Sequence, residues 1–303
     1  MNSQSQLAPI VLFVYNRPWH TRQTVEALQQ NELAAQSDLF IFCDGSKSVV
    51  ERESVSQVRE YVRGINGFKS VKVFEREKNF GLASSIISGV TEIVNKQGKI
   101  IVLEDDMVTS PYFLRYMNYA LELYENEEKV ISIHGYVYPI KAKLPVTFFL
   151  KGADCWGWGT WKRGWDLFEA DGSKLLNELQ DRKLERRFDF NGTYDYIGML
   201  KGQIEGKNDS WAVRWYASAL LNDRLTLYPG QSLVQNIGND ASGTHCGETY
   251  DYGIKIASTP IYLEYMKPEE DKKNFILIQK YFKSIQLSFL KRLMNNFKSK
   301  IST

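Results

Sequence analysis

The sequence predicts an α/β fold built on a mixed, mostly parallel sheet flanked by helices. Three observations lead there. Apolar, largely β-branched or aromatic runs recur at 10–15 (IVLFVY), 39–43 (LFIFC), 71–75 and 100–103 (IIVL). Stretches with helical apolar spacing separate them, at 21–30, 54–64 and 82–96. Continuous apolar strands that alternate with helices are buried on both faces, as in a parallel sheet. Finally, three strands end in polar, turn-forming residues: Asn16-Arg17-Pro18, Asp44-Gly45-Ser46 and Glu104-Asp105-Asp106. In such sheets ligands bind beyond the carboxyl ends of the strands.

Each helix of the first half has a core face: Val25 and Leu28 in the first, Val55, Val58 and Val62 in the second. The third is entered through Asn79-Phe80-Gly81. The second half is less regular. It reads as a helix at 112–125, a strand at 130–134, a Gly/Trp-rich stretch at 155–165 and a charged helix at 175–188. An amphipathic helix at 211–222, a short strand at 225–228 and a polar, Gly-rich loop at 236–247 follow. There is no internal repeat. The expected organisation is one domain over 1–271, with a ligand-binding half at 1–135 and a second half at 136–271, followed by a basic amphipathic helix at 272–303.

Composition narrows the function classes. The chain has 303 residues, 43% hydrophobic and 24% charged, near the soluble-globular average, which excludes bulk disorder. Lys and Arg number 38 against 36 Asp and Glu, too balanced for a protein that coats nucleic acid. Cys43, Cys155 and Cys246 are too few for a disulfide framework and read as thiols of a reducing compartment. The N-terminus lacks the charged region of a signal peptide, and no stretch reaches the roughly 18 apolar residues of a membrane span. The expected location is the cytoplasm, free or peripheral on the inner face of the plasma membrane.

The acidic triplet is the main chemical signal. Adjacent carboxylates repel each other in a partly buried crevice, and a divalent cation relieves that repulsion. Mg²⁺ or Mn²⁺ takes one or two carboxylates together with substrate phosphate oxygens. The alternative is an acidic turn that caps the helix after Pro111. Asp44 can accept hydrogen bonds from a base or ribose, or form an Asx turn. Arg17 can pair with a phosphate or base edge. No phosphate-binding P-loop and no GxGxxG follow the first strand, which argues against P-loop NTPases and nicotinamide dehydrogenases.

In this order, VYNRP, FCDGS, KNFGLASSI and VLEDDM resemble a glycosyltransferase of the GT-A, nucleotide-diphospho-sugar transferase fold, itself Rossmann-like. The triplet is a DXD-type motif in its EDD form. The run IIVLEDDMVTSPYFLRYM is similar to the N-acetylglucosaminyltransferase I type, and more loosely to family 2-type bacterial sugar transferases. The resemblance spans 9–250 and is strongest through 135, and it makes 1–135 the expected nucleotide-sugar-binding half and 136–271 the expected acceptor-binding half. It implies that Arg17 and Asp44 contact the base, with Asn79 near the same edge, that Asp105 contacts the ribose, and that Asp106 ligates Mn²⁺ or Mg²⁺. Glu104 would contact the sugar or the metal's surroundings. The eukaryotic members carry an N-terminal membrane anchor, which this chain lacks, so a role in bacterial surface polysaccharide synthesis is expected. A UDP-sugar is the donor that the resemblance suggests.

The remaining candidates follow from their neighbours. Trp156, Trp158 and Trp161, set among glycines, suit a sugar platform, although Trp is commonly core. Asp209, in Asn208-Asp209-Ser210-Trp211, is the expected general base of an inverting transfer or else an N-cap. Asp154 and Asp240 are the next bases in line. His245 lies in a Gly/Ser loop and is a candidate metal or diphosphate ligand. His134 ends a strand and could line the cleft, while His20 reads as a helix-start residue.

The tail 272–303 holds eight Lys and Arg and no acid. The other 30 Lys and Arg against 36 Asp and Glu leave the rest of the chain at −6. Ile278, Phe282, Ile285, Phe289, Leu293 and Phe297 recur at helical spacing, so the helix either binds an anionic membrane surface or packs on the domain. The expected activity is metal-dependent transfer of a sugar to a hydroxyl of a glycan or lipid-linked glycan. The alternatives are a nucleotidyltransferase acting on sugar phosphates and a non-catalytic carbohydrate-binding protein.

Overall fold

The computed structural model describes residues 6–240, 249 and 251–301. The first half is a regular alternation: β1 (Ile10–Val14), α1 (Pro18–Gln29), β2 (Asp38–Cys43), α2 (Arg52–Arg63), β3 (Ser70–Glu75), α3 (Leu82–Gln97) and β4 (Lys99–Glu104). Then come β5 (Met107–Thr109), α4 (Phe113–Leu123), β6 (Val130–His134), β7 (Thr147–Lys151), β8 (Trp158–Trp161), α5 (Lys162–Trp165), α6 (Gly172–Asp181), α7 (Glu185–Phe188), α8 (Tyr196–Ile204) and α9 (Trp211–Leu221). The chain closes with β9 (Leu225–Pro229), β10 (Val234–Asn236) and α10 (Lys272–Ile301).

Among the described residues, eight strands form one sheet in the order β3-β2-β1-β4-β8-β6-β9-β7, and β10 pairs with β5 in a second, two-stranded sheet. Strands β1 to β4 are mutually parallel. Strand β8 is antiparallel to both β4 and β6, so β6 and its parallel neighbour β9 run in the direction of β4. Six strands therefore end at one edge, and the polar turns of the first half gather there.

Alternation along β1 supplies both cores. Ile10, Leu12 and Val14 enter one cluster and Val11 and Phe13 the other, and all five are buried. Burying such a side chain stabilises the fold by about 1.5–3 kcal/mol. These two apolar layers fix the carboxyl edge as a rigid frame.

The second half departs from the expectation in three places. The Gly/Trp-rich stretch is a strand inserted between β4 and β6, because its glycines allow close approach: a Cβ on Gly159 would lie 3.0 Å from the Ile100 carbonyl. The helix expected at 175–188 is two helices, α6 and α7, separated where Lys183 takes φ 55° in the left-handed region. Strand β7 and helix α8 have no clear periodic signal in the sequence.

Helix α10 begins by packing on the domain. Phe275, Ile278 and Phe282 are buried, and Gln279 Nε2 donates to the Phe190 carbonyl at 2.9 Å. The described part of this helix is thus partly built into the core. Among the described residues no helix is long and apolar enough to cross a membrane.

Candidate active site

Four loops at the carboxyl edge bring the first set of residues together. Arg17 stands at the N-cap of α1, with Pro18 starting the helix. Its Nε donates to Asp105 Oδ2 at 3.3 Å and its Nη2 to Asp106 Oδ2 at 2.8 Å, with a further bond from Nη2 to Asp105 Oδ1. Asp105 and Asp106 are buried, at 5% and 8% exposure. The acidic turn is held by its backbone as well. Thr24 Oγ1 donates to the Asp105 carbonyl at 2.8 Å, and the Ile237 N–H to the Asp106 carbonyl at 2.9 Å.

Charge in this turn is balanced by Arg17. Burial alone disfavours the guanidinium's charge, but the two carboxylates outweigh it and hold the Arg17 pKa well above its ordinary value. Burial raises the Asp105 pKa, with Asp106 adding to the effect and Arg17 opposing it. Glu104 is pushed up to about 8, by burial first and then by the charges of Asp106 and Asp105, while Arg17 and a hydrogen bond from Trp211 pull it down. One oxygen of the cluster stays unanswered: Asp106 Oδ1 is buried and has no hydrogen-bond partner among the described residues. Among the described residues no three His, Cys, Asp or Glu side chains converge as a complete ion cage.

Gly238, which the sequence reading passed over, roofs this turn. A Cβ there would lie 2.1 Å from Asp106 Oδ2 and 2.9 Å from Arg17 Nη1. Any larger residue would have to displace the Asp106 carboxylate from its place beside Arg17.

Asp44 and Asn79 sit at the same edge but face the protein. The Asp44 carboxylate accepts from the backbone N–H groups of Gly45 (3.0 Å), Phe80 (2.9 Å) and Gly81 (3.0 Å). Asn79 Nδ2 donates to the Gly45 carbonyl at 2.8 Å, and its Oδ1 accepts from the Gly81 N–H at 3.1 Å. These bonds tie the loop after β3 to the loop after β2, and they occupy the atoms expected to meet a nucleotide base. Gly45 makes the contact possible, since a Cβ there would lie 2.5 Å from the Lys78 carbonyl carbon. Beside them Phe80 is exposed, with the Arg76 guanidinium 4.3 Å above its ring.

Asp209 reaches this edge from the second half. Ser210 is the N-cap of α9, its hydroxyl accepting from the Val213 N–H at 3.2 Å. The Asp209 carboxylate is thereby left to face the start of α3, accepting from the Ala83 N–H at 3.4 Å. Its side chain is 54% exposed, and Arg214 Nη2 stands 3.9 Å away. The reading of Asp209 as the cap of its own helix is thus corrected. It sits at the N-terminus of another helix, where the helix dipole favours an anion. Trp211, the next residue in α9, is buried and bonds to Glu104, which ties α9 to the end of β4.

The three tryptophans separate. Trp158 and Trp161 are buried at 0% and 4% exposure on opposite faces of β8. Trp158 packs 5.5–5.8 Å from the rings of Trp165, Trp211 and Trp215. The Trp161 indole N–H donates to the Leu121 carbonyl at 3.1 Å. Both are core residues, because helices cover both faces of the sheet at β8, and their expected platform role is corrected. Trp156, just outside the strand, is partly exposed, and its backbone N–H donates to His134 Nε2 at 3.1 Å. His134 is fully buried at the end of β6, and burial lowers its pKa despite the nearby Asp154. Asp154 Oδ2 accepts from the Tyr138 hydroxyl at 2.9 Å. Asp240 Oδ2 lies 3.1 Å from His20 Nε2. His245 and Cys246 lie outside the described residues.

What the fold and the site define is an α/β protein with paired carboxylates and an arginine at the carboxyl edge of a largely parallel sheet. Among solved structures the chain is similar to the mannosyltransferase PcManGT from Pyrobaculum calidifontis in complex with GDP-Man and Mn²⁺. That match has 11% identity and a TM-score of 0.33, over 45% of this chain and 37% of the other. It is similar to S. aureus TarS 1-349 in complex with UDP at 13% identity and a TM-score of 0.33, over 46% of this chain and 40% of the other. It is also similar to a UDP-glucose pyrophosphorylase complexed with UDP-glucose, at 10% identity and a TM-score of 0.37, over 74% and 90% of the two chains. The chain thus spans well under half of the mannosyltransferase and of TarS. These likenesses assign no activity and no residue. No protein-family model matches the sequence, and no curated protein matches it.

Proposed function

We propose that the chain is a metal-assisted glycosyltransferase that moves a sugar from a nucleoside diphosphate donor, a UDP-sugar by the resemblance of its motifs, to a hydroxyl of a glycan or lipid-linked glycan. The observation that carries the reading is the unanswered Oδ1 of Asp106, buried beside Asp105 and Arg17 at the carboxyl edge of the sheet. A buried carboxylate oxygen without a donor is costly, and a divalent cation answers it. Asp106 fits as the protein ligand of Mn²⁺ or Mg²⁺, with the other positions left to the donor's phosphates and to water. When bound, such an ion stabilises the negative charge of a departing diphosphate.

The chain's own groups supply the rest. Arg17 presents a guanidinium where a diphosphate would lie and can trade carboxylate for phosphate oxygens, which match its planar fork equally well. Glu104, at the end of β4, faces the transferred sugar. Asp209, more than half exposed at the same edge, takes the proton of the acceptor hydroxyl. The acceptor oxygen bonds to the anomeric carbon while the bond from that carbon to the diphosphate oxygen breaks, and its electron pair leaves on the diphosphate. Attack opposite the leaving group inverts the centre. We further propose that the basic C-terminal helix brings the enzyme to an anionic membrane on its cytoplasmic face, in the synthesis of a bacterial surface polysaccharide.

A thermal-shift screen of UDP-, GDP-, dTDP- and CMP-sugars with and without Mn²⁺ tests the reading. The expected result is stabilisation by one donor class that depends on Mn²⁺. Stabilisation by none of them overturns it, and release of pyrophosphate from a nucleoside triphosphate would replace it with nucleotidyl transfer.

A further inference from the structure

We propose that a ring of aromatic side chains beside Asp154 is a subsite for a neutral pyranose of the acceptor, and that the C-terminal helix completes it. The proposal rests on the transferase reading and names the acceptor's chemistry.

Five ring contacts close a circuit. Trp156 meets Tyr136 at 4.8 Å between centroids, Tyr136 meets Tyr138 at 5.5 Å, and Tyr138 meets Tyr281 at 5.8 Å. Tyr281 meets Tyr252 at 6.4 Å, and Tyr252 returns to Trp156 at 5.6 Å. Tyr136 and Tyr138 are buried, whereas Trp156, Tyr252 and Tyr281 are partly exposed. The circuit thus has a closed inner side and an accessible outer one. Tyr281 belongs to α10, and its hydroxyl donates to the Asp251 carbonyl, so the helix fastens the segment that carries Tyr252.

Asp154 supplies the polar group. Its side chain keeps 19% exposure. Oδ2 accepts from the Tyr138 hydroxyl at 2.9 Å and Oδ1 from the Cys155 N–H at 2.8 Å. His134 Nε2 lies 3.9 Å from Oδ1 and accepts the backbone N–H of Trp156 at 3.1 Å, which fixes the main chain that carries the indole beside the carboxylate. The Tyr228 hydroxyl also bonds to this carboxylate, so of its roughly four acceptor sites about one is left for a ligand.

A pyranose fits this combination. Its C–H face is apolar and packs on an aromatic ring, while its hydroxyls donate to a carboxylate in short, charge-assisted bonds. An anionic sugar would be repelled by Asp154. The position also suits an acceptor. Gly157, next to Trp156, accepts the Gly135 N–H at 2.7 Å, and the Gly135 carbonyl accepts the Leu233 N–H at 2.8 Å. Leu233 leads into β10, whose Asn236 pairs with Met107, the residue after Asp106. Backbone bonds thus connect the loop of Trp156 to the strand pair β5–β10 beside the acidic turn.

Saturation-transfer NMR with the methyl glycosides of glucose, galactose, mannose, rhamnose and N-acetylglucosamine, with no nucleotide present, tests the subsite on the full chain. At least one glycoside is expected to bind, and Asp154→Asn and Trp156→Leu should each weaken it about tenfold or more, the loss of one bond to a charged group or one stacked face. If no glycoside binds, or if both variants bind at wild-type affinity, the subsite does not exist. Asp154→Asn is nearly isosteric, and should it fail to fold, Trp156→Leu at its partly exposed position decides. Because the measurement contains no donor, failure of Mn²⁺-dependent donor binding leaves its result standing, and the reverse also holds.

Discussion

Arg17 donates to Asp106 across 89 residues of sequence at 2.8 Å, and so the cation nearest the acidic turn is one the chain itself provides. The pair links the ends of two neighbouring parallel strands, β1 and β4, and its guanidinium balances two carboxylates that would otherwise repel each other.

Removing that balance should destabilise the protein. Arg17→Ala leaves Asp105 and Asp106 buried without their counter-charge, at a cost of about 3–5 kcal/mol. Denaturant unfolding in EDTA should show the loss, and Mn²⁺ should restore more stability to the variant than it adds to the wild type. Equal stability of the two proteins in EDTA would count against the role given to Arg17.

Asp106→Ala should abolish Mn²⁺-dependent binding of the donor, since it removes the oxygen that has no hydrogen-bond partner among the described residues. Titration calorimetry measures it directly. Unchanged nucleotide affinity with Mn²⁺ would refute the assignment.

Asp209→Asn separates chemistry from architecture. As the general base, its loss lowers turnover by about 10²–10⁴-fold while donor binding persists. If Asp209 serves only to cap α3, turnover survives and stability falls by about 1 kcal/mol. In that case the base is to be sought at Asp154 or Asp240.

His134 predicts an acid limb in stability. Burial lowers its pKa in the folded state, against the opposing pull of Asp154. As pH falls through about 6.5 the unfolded chain takes up a proton that the folded chain refuses, so stability drops below that pH. Urea titrations from pH 8 to 5 should show a steeper decline for the wild type than for His134→Gln. Parallel slopes would exclude the histidine as the cause.

The C-terminal helix should divide into two parts by function. Truncation after Asp271 removes Phe275, Ile278 and Phe282 from the core, each worth about 1.5–3 kcal/mol, and should yield an unstable or insoluble protein. Truncation after Leu287 keeps those contacts and should leave a folded domain with reduced binding to anionic vesicles. Co-sedimentation at low and high salt measures it, because surface charge is screened over about 8 Å at physiological ionic strength. Full retention of vesicle binding by the shorter chain would remove the membrane role from the distal helix.

The first half was legible because its signals are local. Ile10–Val14 and Ile101–Leu103 are uninterrupted apolar strands, and the polar residues that follow can only lie at the sheet's edge. Legibility ended where burial is decided by distant segments. Trp158 and Trp161 have the composition of a sugar platform, yet α5 and α9 close over the first and α4 over the second. Asp44 reads as an open acceptor until the loop after β3 arrives to use it. Ser210 takes the cap that Asp209 had the chemistry to fill, a choice of one residue that no spacing rule makes. Gly238 reads only as part of a Gly-rich loop, because what crowds it is Asp106, more than a hundred residues away.

The two carboxylates Asp44 and Asp209 hold opposite ends of one short stretch, Phe80 to Ala83, one gripping its first amides and the other touching the amide at its far end. The stretch therefore behaves as a tether with two handles, one belonging to each half of the chain. The stretch is thereby anchored from two places far apart in the sequence, and the entry to α3 is set by side chains of both halves and not by the strand that precedes it.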